Sequence, residues 1–121
     1  MNILIVDDSR AMRMIVKKTL RAAGFEGHNI EEAEDGKAGL QKVEEFGPDL
    51  ILSDWNMPNM NGPQFLEALR EKGVKTTFGF VTTEATSEMR ARAAEAGAEF
   101  LIAKPFTPQS FSETLGKYIT D

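Results

Sequence analysis

The sequence predicts an α/β fold in which a β-strand followed by an α-helix is repeated five times around one parallel sheet. Short apolar runs with the length of buried strands alternate with longer segments whose apolar residues recur at helical spacing. Glycines stand just past several of the helical segments, where a residue in the left-handed conformation commonly ends a helix. Alternation of this kind implies parallel strands with helices packed on both faces of the sheet.

The strand candidates are unbroken apolar runs, which are typical of parallel strands buried on both faces. Four runs are clear, and a fifth is weaker because glutamates interrupt it; they cover residues 3–6, 50–52, 78–81 and 100–103, with the weaker run at 29–33. We expect right-handed crossovers to join these strands, because that is the usual hand of a strand–helix–strand connection.

Each helical segment carries one apolar face that should turn toward the sheet. These faces consist of Met12, Ile15, Val16 and Leu20 in the first helix, Leu40 and Val43 in the second, Phe65, Leu66 and Leu69 in the third, Met89, Ala93 and Ala96 in the fourth, and Phe111, Leu115, Tyr118 and Ile119 in the fifth. Asp35, Asn61 and Thr107 are the predicted N-caps of the second, third and fifth helices.

Length and composition restrict the function. The 121 residues fit one domain, so we interpret residues 1–121 as a single domain without an output domain. The chain has no cysteine and only one histidine, which excludes thiolate chemistry and multi-histidine metal sites. The net charge of −5 disfavours nucleic-acid binding. No apolar run approaches the roughly 20 residues of a membrane span, and no signal peptide is visible, so we expect a cytoplasmic protein without membrane insertion.

Polar side chains follow the strands at the point where each apolar run ends. Asp7 and Asp8 follow the first strand, Asp54 the third, Thr82 the fourth and Lys104 the fifth. The carboxyl ends of parallel strands share one edge of the sheet, and open α/β sheets bind their ligands at that edge. We therefore expect these five side chains to form one site.

Three carboxylates in one pocket repel each other, so they either raise a pKa or recruit a cation. Oxygen ligands without histidine or cysteine favour a hard cation, and Mg²⁺ needs only one or two carboxylates beside water and phosphate. A single lysine opposite the cluster suits an anion that arrives with the metal. The residues thus predict a phosphoryl site in which an aspartate can be the nucleophile.

Four segments resemble the signature of response-regulator receiver domains, and together they span nearly the whole chain in order. They are VDDS at 6–9, DWNMPNMNG at 54–62, VT at 81–82 and KPF at 104–106. Residues 54–60 are similar to chemotaxis regulators of the CheY type in particular. The resemblance implies a flavodoxin-like, doubly wound (βα)5 fold, with five parallel strands in the order 2-1-3-4-5.

The resemblance also implies a role for the acidic residues. Asp54 would be the phosphoacceptor, and Asp8, with help from Asp7, would hold Mg²⁺ together with Asp54 and the backbone carbonyl of Asn56. The domain would draw its phosphoryl group from a phosphohistidine and later hydrolyse the product. It would therefore be a signalling domain that assists its own chemistry, and not an enzyme acting on a separate substrate.

The remaining motif residues would bind and sense the phosphoryl group. Lys104 would contact its oxygens, Thr82 would move its hydroxyl toward it, and the bond from Lys104 to Pro105 would be cis. Asn56 and Glu84 occupy the two positions that influence water access in this family. Because this pair matches the chemotaxis type, we expect a short-lived phosphate.

One position departs from the chemotaxis pattern. Three residues before the lysine, where that type has a tyrosine that swings inward on activation, this chain has Leu101. The neighbouring Phe100 should point to the opposite face of the sheet, because strand side chains alternate. Coupling through a swinging aromatic is therefore not expected, although the surface of the fourth helix, fifth strand and fifth helix can still respond.

The resemblance implies protein partners. A sensor histidine kinase or a histidine phosphotransfer protein would donate the phosphoryl group to a monomeric receiver, and a downstream protein such as the flagellar motor switch would read it. Trp55, next to Asp54, is interpreted as a partly exposed wall of the pocket.

Other functions share parts of this pattern. A phosphorelay intermediate, or a receiver in a stress or developmental pathway, would have the same site and a different partner. A phosphohydrolase of the haloacid dehalogenase kind would need an Asp-x-Asp arrangement after its first strand, whereas Asp7 and Asp8 are adjacent. An FMN-binding module would need a hydroxyl-rich phosphate loop there, and the two carboxylates would repel the phosphate.

Overall fold

A computed structural model describes residues 1–119, in which five strands and five helices alternate. The strands are β1 (Asn2–Val6), β2 (Asn29–Ala33), β3 (Leu50–Ser53), β4 (Thr77–Thr82) and β5 (Phe100–Ala103). The helices are α1 (Arg10–Ala22), α2 (Gly36–Phe46), α3 (Gly62–Glu71), α4 (Ser87–Ala96) and α5 (Pro108–Leu115). The predicted succession of elements is confirmed, including the weaker strand at 29–33. The predicted extent of the fifth helix was wrong, because α5 ends before Gly116 and leaves Tyr118 and Ile119 beyond its end.

All strand pairs are parallel, and the sheet has the order β2-β1-β3-β4-β5. The chain runs from β1 outward to β2 and then returns past β1 to β3. The crevice at the carboxyl ends of β1 and β3 is therefore the topological switch point, where ligands of open α/β sheets bind. The doubly wound fold predicted above is confirmed.

Each face of the sheet has its own apolar core. Helices α1 and α5 cover the α1/α5 face, where Val16 and Leu20 pack with Phe111 and Leu115. Helices α2, α3 and α4 cover the opposite α2/α3/α4 face, whose core contains Phe65, Phe78, Phe80 and Leu101 among others. Strand side chains alternate between the two cores, so a single sheet holds both of them together.

One predicted core residue is misplaced. Ile15 lies on α1 within the apolar pattern, yet its side chain is 46% exposed, as is its neighbour Met14 at 50%. The prediction was wrong because only one stripe of α1 meets the sheet and α5, and Val16 and Leu20 already fill it. Ile15 lies beyond the edge of this stripe.

The predicted N-caps are confirmed. Asp35 accepts a hydrogen bond from Ala38 N, and Asn61 and Thr107 each form a capping box with the residue three positions later. At the other end of α2, Gly47 has φ 62°, a left-handed value that favours glycine. None of the helices in the described residues is long and apolar enough to cross a membrane.

Strand β2 forms one edge of the sheet and carries two glutamates on opposite faces. Glu31 pairs with Lys42 of α2 at 3.0 Å, while Glu32 binds Arg13 and Lys17 of α1, each at 2.8 Å. Hydrogen bonding from Lys17, followed by that from Arg13, holds the pKa of Glu32 below its ordinary value. Charged pairs with the flanking helices therefore enclose this edge strand.

Candidate functional site

Backbone hydrogen bonds fix the strand ends that carry the predicted site residues. Asp54 N donates to Val6 O at 2.8 Å, one residue beyond β3, and Asp7 N donates to Ala33 O at 3.1 Å, one residue beyond β1. On the far side of the crevice, Lys104 N donates to Thr82 O at 2.7 Å. These hydrogen bonds therefore fix the backbone of the polar residues at the carboxyl edge of the sheet.

Three carboxylates meet at the switch point. Asp7, Asp8 and Asp54 each offer an oxygen, and these oxygens all lie within 4.8 Å of one another. Asp7 is buried at 4% exposure, and its Oδ1 accepts a hydrogen bond from Ser9 N at 2.8 Å. Asp8 is exposed, so the cluster opens toward solvent on its side. The spacing suits carboxylates that share one small cation.

Lys104 is the cation that the structure places against this cluster. Its Nζ lies 3.2 Å from Asp7 Oδ2 and 3.6 Å from Asp54 Oδ1, and its side chain is only 10% exposed. The predicted cis bond between Lys104 and Pro105 is present. An ammonium between two aspartates can stabilise a further anion that approaches Asp54.

The environment of Asp54 disfavours its ionised form. Burial is the main cause that raises the pKa of this carboxyl group, and the negative charges of Asp7 and Asp8 raise it further. The charge of Lys104 lowers the pKa, as does the hydrogen bond from Trp55 N to Asp54 Oδ1 at 2.8 Å. A divalent cation bound beside the three carboxylates would offset burial and the charges of Asp7 and Asp8, and would thus lower the pKa of Asp54.

Gly62 packs so closely against the backbone of Asp54 that a side chain at this position would not fit. A Cβ at this position would lie 2.4 Å from Asp54 O and 2.7 Å from the Phe80 ring. The amide of Gly62 donates to Trp55 O at 2.8 Å and closes the loop that follows β3. Helix α3 therefore begins in direct contact with the backbone of the predicted acceptor.

Thr82 lies on the opposite side of the crevice from Asp7. Its side chain is almost completely buried, and its Oγ1 accepts a weak hydrogen bond from Glu84 N at 3.4 Å. Glu84 and Asn56 are exposed, and both line a cavity of about 320 Å³ beside Trp55. The two residues predicted to influence water access thus face the same solvent space.

Trp55 is buried, so its predicted partial exposure was wrong. It is 7% exposed, its ring centroid lies 4.7 Å from that of Phe80, and the guanidinium of Arg92 lies 5.6 Å above its ring. No local sequence pattern predicts the contact of Arg92 with the Trp55 ring, because Arg92 is on α4, 37 positions after Trp55. Trp55 still forms a wall of the cavity that contains Asn56 and Glu84.

The structure orients Leu101 and Phe100 as predicted. Leu101 joins the α2/α3/α4 core, while Phe100 stacks on Tyr118 on the other face, with ring centroids 5.2 Å apart. Arg90 Nη1 donates to Leu101 O at 3.2 Å. A groove between α4 and β5 runs past Arg90 and Leu101.

Arg13 is a supporting residue that the sequence did not single out. Its Nη1 donates to the carbonyl oxygen of Asp7 at 2.6 Å, and its Nε donates to Glu32 at 2.8 Å. The contact links α1 to the backbone of a cluster aspartate. A local spacing of six residues could have suggested proximity, but the pairing with Glu32 depends on how β2 lies against β1.

An open parallel sheet with a carboxylate cluster and a lysine at its switch point defines a class of flavodoxin-like domains suited to a cation and a phosphoryl group. Within that class, a comparison with family models identifies the family of this chain. The chain belongs to the response regulator receiver domain family, whose family model matches residues 3–115.

Curated relatives and solved structures agree with this assignment. The chain is 41% identical to "Chemotaxis protein CheY-3" of Vibrio cholerae serotype O1, over 97% of this chain and 90% of the relative. It is 40% identical to "Chemotaxis protein CheY" of Pseudomonas aeruginosa, over 97% and 94% of the two chains. The structure of the Vibrio cholerae chemotaxis protein CheY4 superposes with a TM-score of 0.86, at 36% identity and 98% coverage of both chains.

Proposed function

We propose that the protein is a magnesium-dependent phosphoryl acceptor, in which Asp54 takes a phosphoryl group from a phosphohistidine. The observation that carries this proposal is the grouping of three carboxylate oxygens within 4.8 Å, with the Lys104 ammonium 3.6 Å from Asp54. Membership of the receiver family supports the same conclusion.

Asp7, Asp8 and Asp54 fit Mg²⁺, because all three present carboxylate oxygens to one place and Asp8 is open to solvent. The backbone carbonyl of Asn56 would add a fourth protein oxygen. When bound, Mg²⁺ supplies positive charge that offsets the repulsion among the carboxylates and the charge of the arriving phosphoryl oxygens.

The reaction needs little covalent chemistry from the protein. A carboxylate oxygen of Asp54 forms a bond to phosphorus, and the bond from phosphorus to the histidine nitrogen of the donor breaks. That nitrogen keeps the electron pair and takes up a proton. Lys104, whose ammonium lies 3.6 Å from Asp54, stabilises the phosphoryl oxygens.

The phosphoryl group would then alter the surface built from α4, β5 and α5. Thr82 ends β4 with a hydroxyl that has only a weak 3.4 Å partner, so it is available to a new anion near Asp54. On the neighbouring strand, Leu101 pairs with Phe80 of β4 and lines a surface groove together with Arg90, which donates to Leu101 O at 3.2 Å. We infer that repacking of Leu101, in place of a swinging aromatic, transmits the change.

The family and the relatives support a proposal about the partners. A sensor histidine kinase or a histidine phosphotransfer protein would supply the phosphoryl group to a monomeric receiver. Because the similar proteins are named chemotaxis proteins, we place the pathway in chemotaxis-type signalling, with a downstream protein such as the flagellar motor switch as the reader.

The test is the intact mass of the protein after incubation with a small phosphoramidate or acyl-phosphate donor. We expect one added phosphoryl group that requires Mg²⁺, and no addition to the Asp54→Asn variant. Asp49→Asn is the matched control, because Asp49 is an exposed aspartate just before β3, at the opposite end of the strand from Asp54. It should be modified like the wild-type protein.

Two results would contradict the proposal. One is an unmodified wild-type protein in the presence of Mg²⁺ and donor. The other is equal modification of wild-type protein and the Asp54→Asn variant, which would place the acceptor at another residue.

A further inference from the structure

The loop between β3 and α3 is held at both of its ends. At its base, Gly62 N donates to Trp55 O at 2.8 Å. At its tip, the N-terminus of α2 contacts Asn59 and Met60 from the side. Between these anchors only residues 56–58 have no described hydrogen bond to another element, and Asn56 carries the carbonyl expected to face the metal. The two anchors therefore determine where that carbonyl lies.

Asp35 forms the side-chain part of the anchor at the tip. Its side chain is buried at 6% exposure, and both of its oxygens are used. Oδ1 accepts a hydrogen bond from Ala38 N, which caps α2, and Oδ2 accepts one from Asn59 Nδ2, each at 2.8 Å. An N-cap requires only one oxygen, so the bond to Asn59 is an additional, non-local interaction.

The backbone reinforces this contact. Gly36 N donates to Met60 O at 3.1 Å, and a Cβ on Gly36 would come within 2.6 Å of Met60 Cγ. Asn59 itself has φ 67°, the left-handed conformation that asparagine tolerates better than most residues. The loop thus adopts an uncommon backbone conformation against a helix end that fits it closely.

From these contacts we infer that Asp35 is a positioning residue for the metal-binding loop, acting through its hydrogen bond to Asn59. This inference rests on the proposed function, because it assigns the Asn56 carbonyl to the metal. Asp35 lines a surface pocket together with Asp8, and through Asn59 it restrains a segment that begins one residue after Asp54. Loss of the bond leaves the tip held by the backbone contact between Gly36 and Met60 without the side-chain anchor, so that Mg²⁺ binding must also supply the free energy of restraining it fully.

Two variants cut the bond and keep the cap. Asp35→Ser retains a hydroxyl oxygen for Ala38 N, since serine caps as well as aspartate, but has no second oxygen for Asn59. Asn59→Gly removes the donor on the other side and accepts the left-handed conformation without strain. The double variant completes a cycle in which the second change should add little once the bond is gone.

Gly47→Ala is the matched control. It strains α2 at its opposite end, where φ is 62° and no atom lies within 4 Å of the added methyl group. The expected loss of stability is similar to that caused by a weakened helix N-terminus. A purely structural role for Asp35 predicts that the control and Asp35→Ser affect Mg²⁺ binding alike.

Mg²⁺ titration followed by Trp55 fluorescence measures the effect. We expect Asp35→Ser and Asn59→Gly to weaken Mg²⁺ binding about tenfold, as loss of groups that orient metal ligands commonly does. The double variant should be no weaker than either single variant, and Gly47→Ala should bind like the wild-type protein. Without metal, exchange of the Met60 amide, which donates to Pro58 O at 2.7 Å, and of the Gly36 amide, which donates to Met60 O at 3.1 Å, should quicken in the two single variants and not in the Gly47→Ala control.

The outcomes separate the inference from the proposed function. Wild-type protein that binds Mg²⁺, with both single variants equal to it in affinity and in amide exchange, would overturn the role of Asp35 alone. Equal weakening by Gly47→Ala would overturn it as well. Absence of Mg²⁺ binding to the wild-type protein would overturn the proposed function together with this inference.

Discussion

The carboxyl group of Asp54 is largely buried and lies near two negative charges, Asp7 and Asp8, and one positive charge, Lys104. The net result is a raised pKa, so the folded state holds the proton of this carboxyl more tightly than the unfolded chain does. Its ionised form therefore lowers stability at neutral pH, and the penalty disappears as pH falls below the ordinary range of an aspartate. The charge that Asp54 would need as a nucleophile thus destabilises the fold that holds it.

The Asp54→Asn variant should therefore have a higher Tm than the wild-type protein near pH 7 without Mg²⁺. The difference should shrink as pH falls through the raised pKa of Asp54, because the wild-type carboxyl then becomes neutral too. Thermal melts by circular dichroism between about pH 7 and pH 4 measure this, with Asp49→Asn as control. A difference that is independent of pH would show that the stabilisation has another cause.

Gly62 supports the same residue through packing. Gly62→Ala should destabilise the protein by about 1–3 kcal/mol, because the new methyl group overlaps Asp54 O and the Phe80 ring. It should also shift the emission of Trp55, whose Cα would lie 3.1 Å from the new methyl carbon. Urea unfolding followed by fluorescence reports both effects.

Gly73→Ala is the comparison for this prediction, since Gly73 has φ 78° and open space around it. It should reduce stability through backbone strain and leave the emission of the folded protein unchanged. If Gly62→Ala behaves in the same way, the contact with Asp54 and Phe80 has no influence on the site.

Sequence reasoning predicted that the candidate site residues at the strand ends lie close together, because chain order places them at one edge of a parallel sheet. It did not find contacts that depend on how separate elements meet. Asp35 and Asn59 are 24 positions apart, and the cover of Arg92 over Trp55 needs the position of α4. Such pairs carry no local periodicity or spacing, so only the packed structure shows them.

At the scale of elements, the sequence predicted every strand and helix in the described residues. Apolar runs and capping residues mark strand cores and helix starts, and both signals are local. The error at Ile15 has a tertiary cause: the periodicity defines a face of α1, but the width of the buried stripe depends on the neighbouring helix.

One side chain joins several elements at the amino end of β4. Arg70 on α3 donates to Val74 O and Thr76 O through Nη1 and to Gly97 O through Nη2, each at 3.0 Å. It also lies 3.7 Å from Glu99. Its planar guanidinium therefore links the end of α3, the start of β4 and the turn between α4 and β5.

Arg70→Lys should lower the free energy of unfolding by about 2 kcal/mol, because a single ammonium cannot reach three carbonyl oxygens in fixed directions. Urea unfolding measures the loss. Arg92→Lys is the matched control, since the exposed Arg92 contacts Trp55 only as a cation above its ring, and lysine can keep that interaction. Equal stability of the two variants would contradict the linking role of Arg70.

At the scale of the whole molecule, one sheet separates two cores that share its strands. Trp55 belongs to the α2/α3/α4 core and Leu115 to the α1/α5 core. Because every interior strand contributes side chains to both, loss of packing on one face should weaken the other. The molecule should unfold as one cooperative unit.

Leu115→Ala tests this directly. The change should reduce stability by about 2–5 kcal/mol, and the unfolding curve from Trp55 fluorescence should move with the curve from far-ultraviolet circular dichroism. Coincident curves are expected in both proteins. A Trp55 curve that stays in place while the circular dichroism curve moves would show that the two cores unfold independently.

The ion pairs that join β2 to α1 and α2 have a consequence for the protein at high concentration. An open strand edge is a template on which a second chain can add its own strand, and such addition leads to aggregates. A chain that added a strand to β2 would lie beside the charged groups of Glu31 and Glu32 and would strip water from them. Because the pKa of Glu32 is lowered, its charge persists further into acid than that of an ordinary glutamate. The same salt bridges that attach α1 and α2 to the sheet therefore also protect the molecule from self-association through this edge.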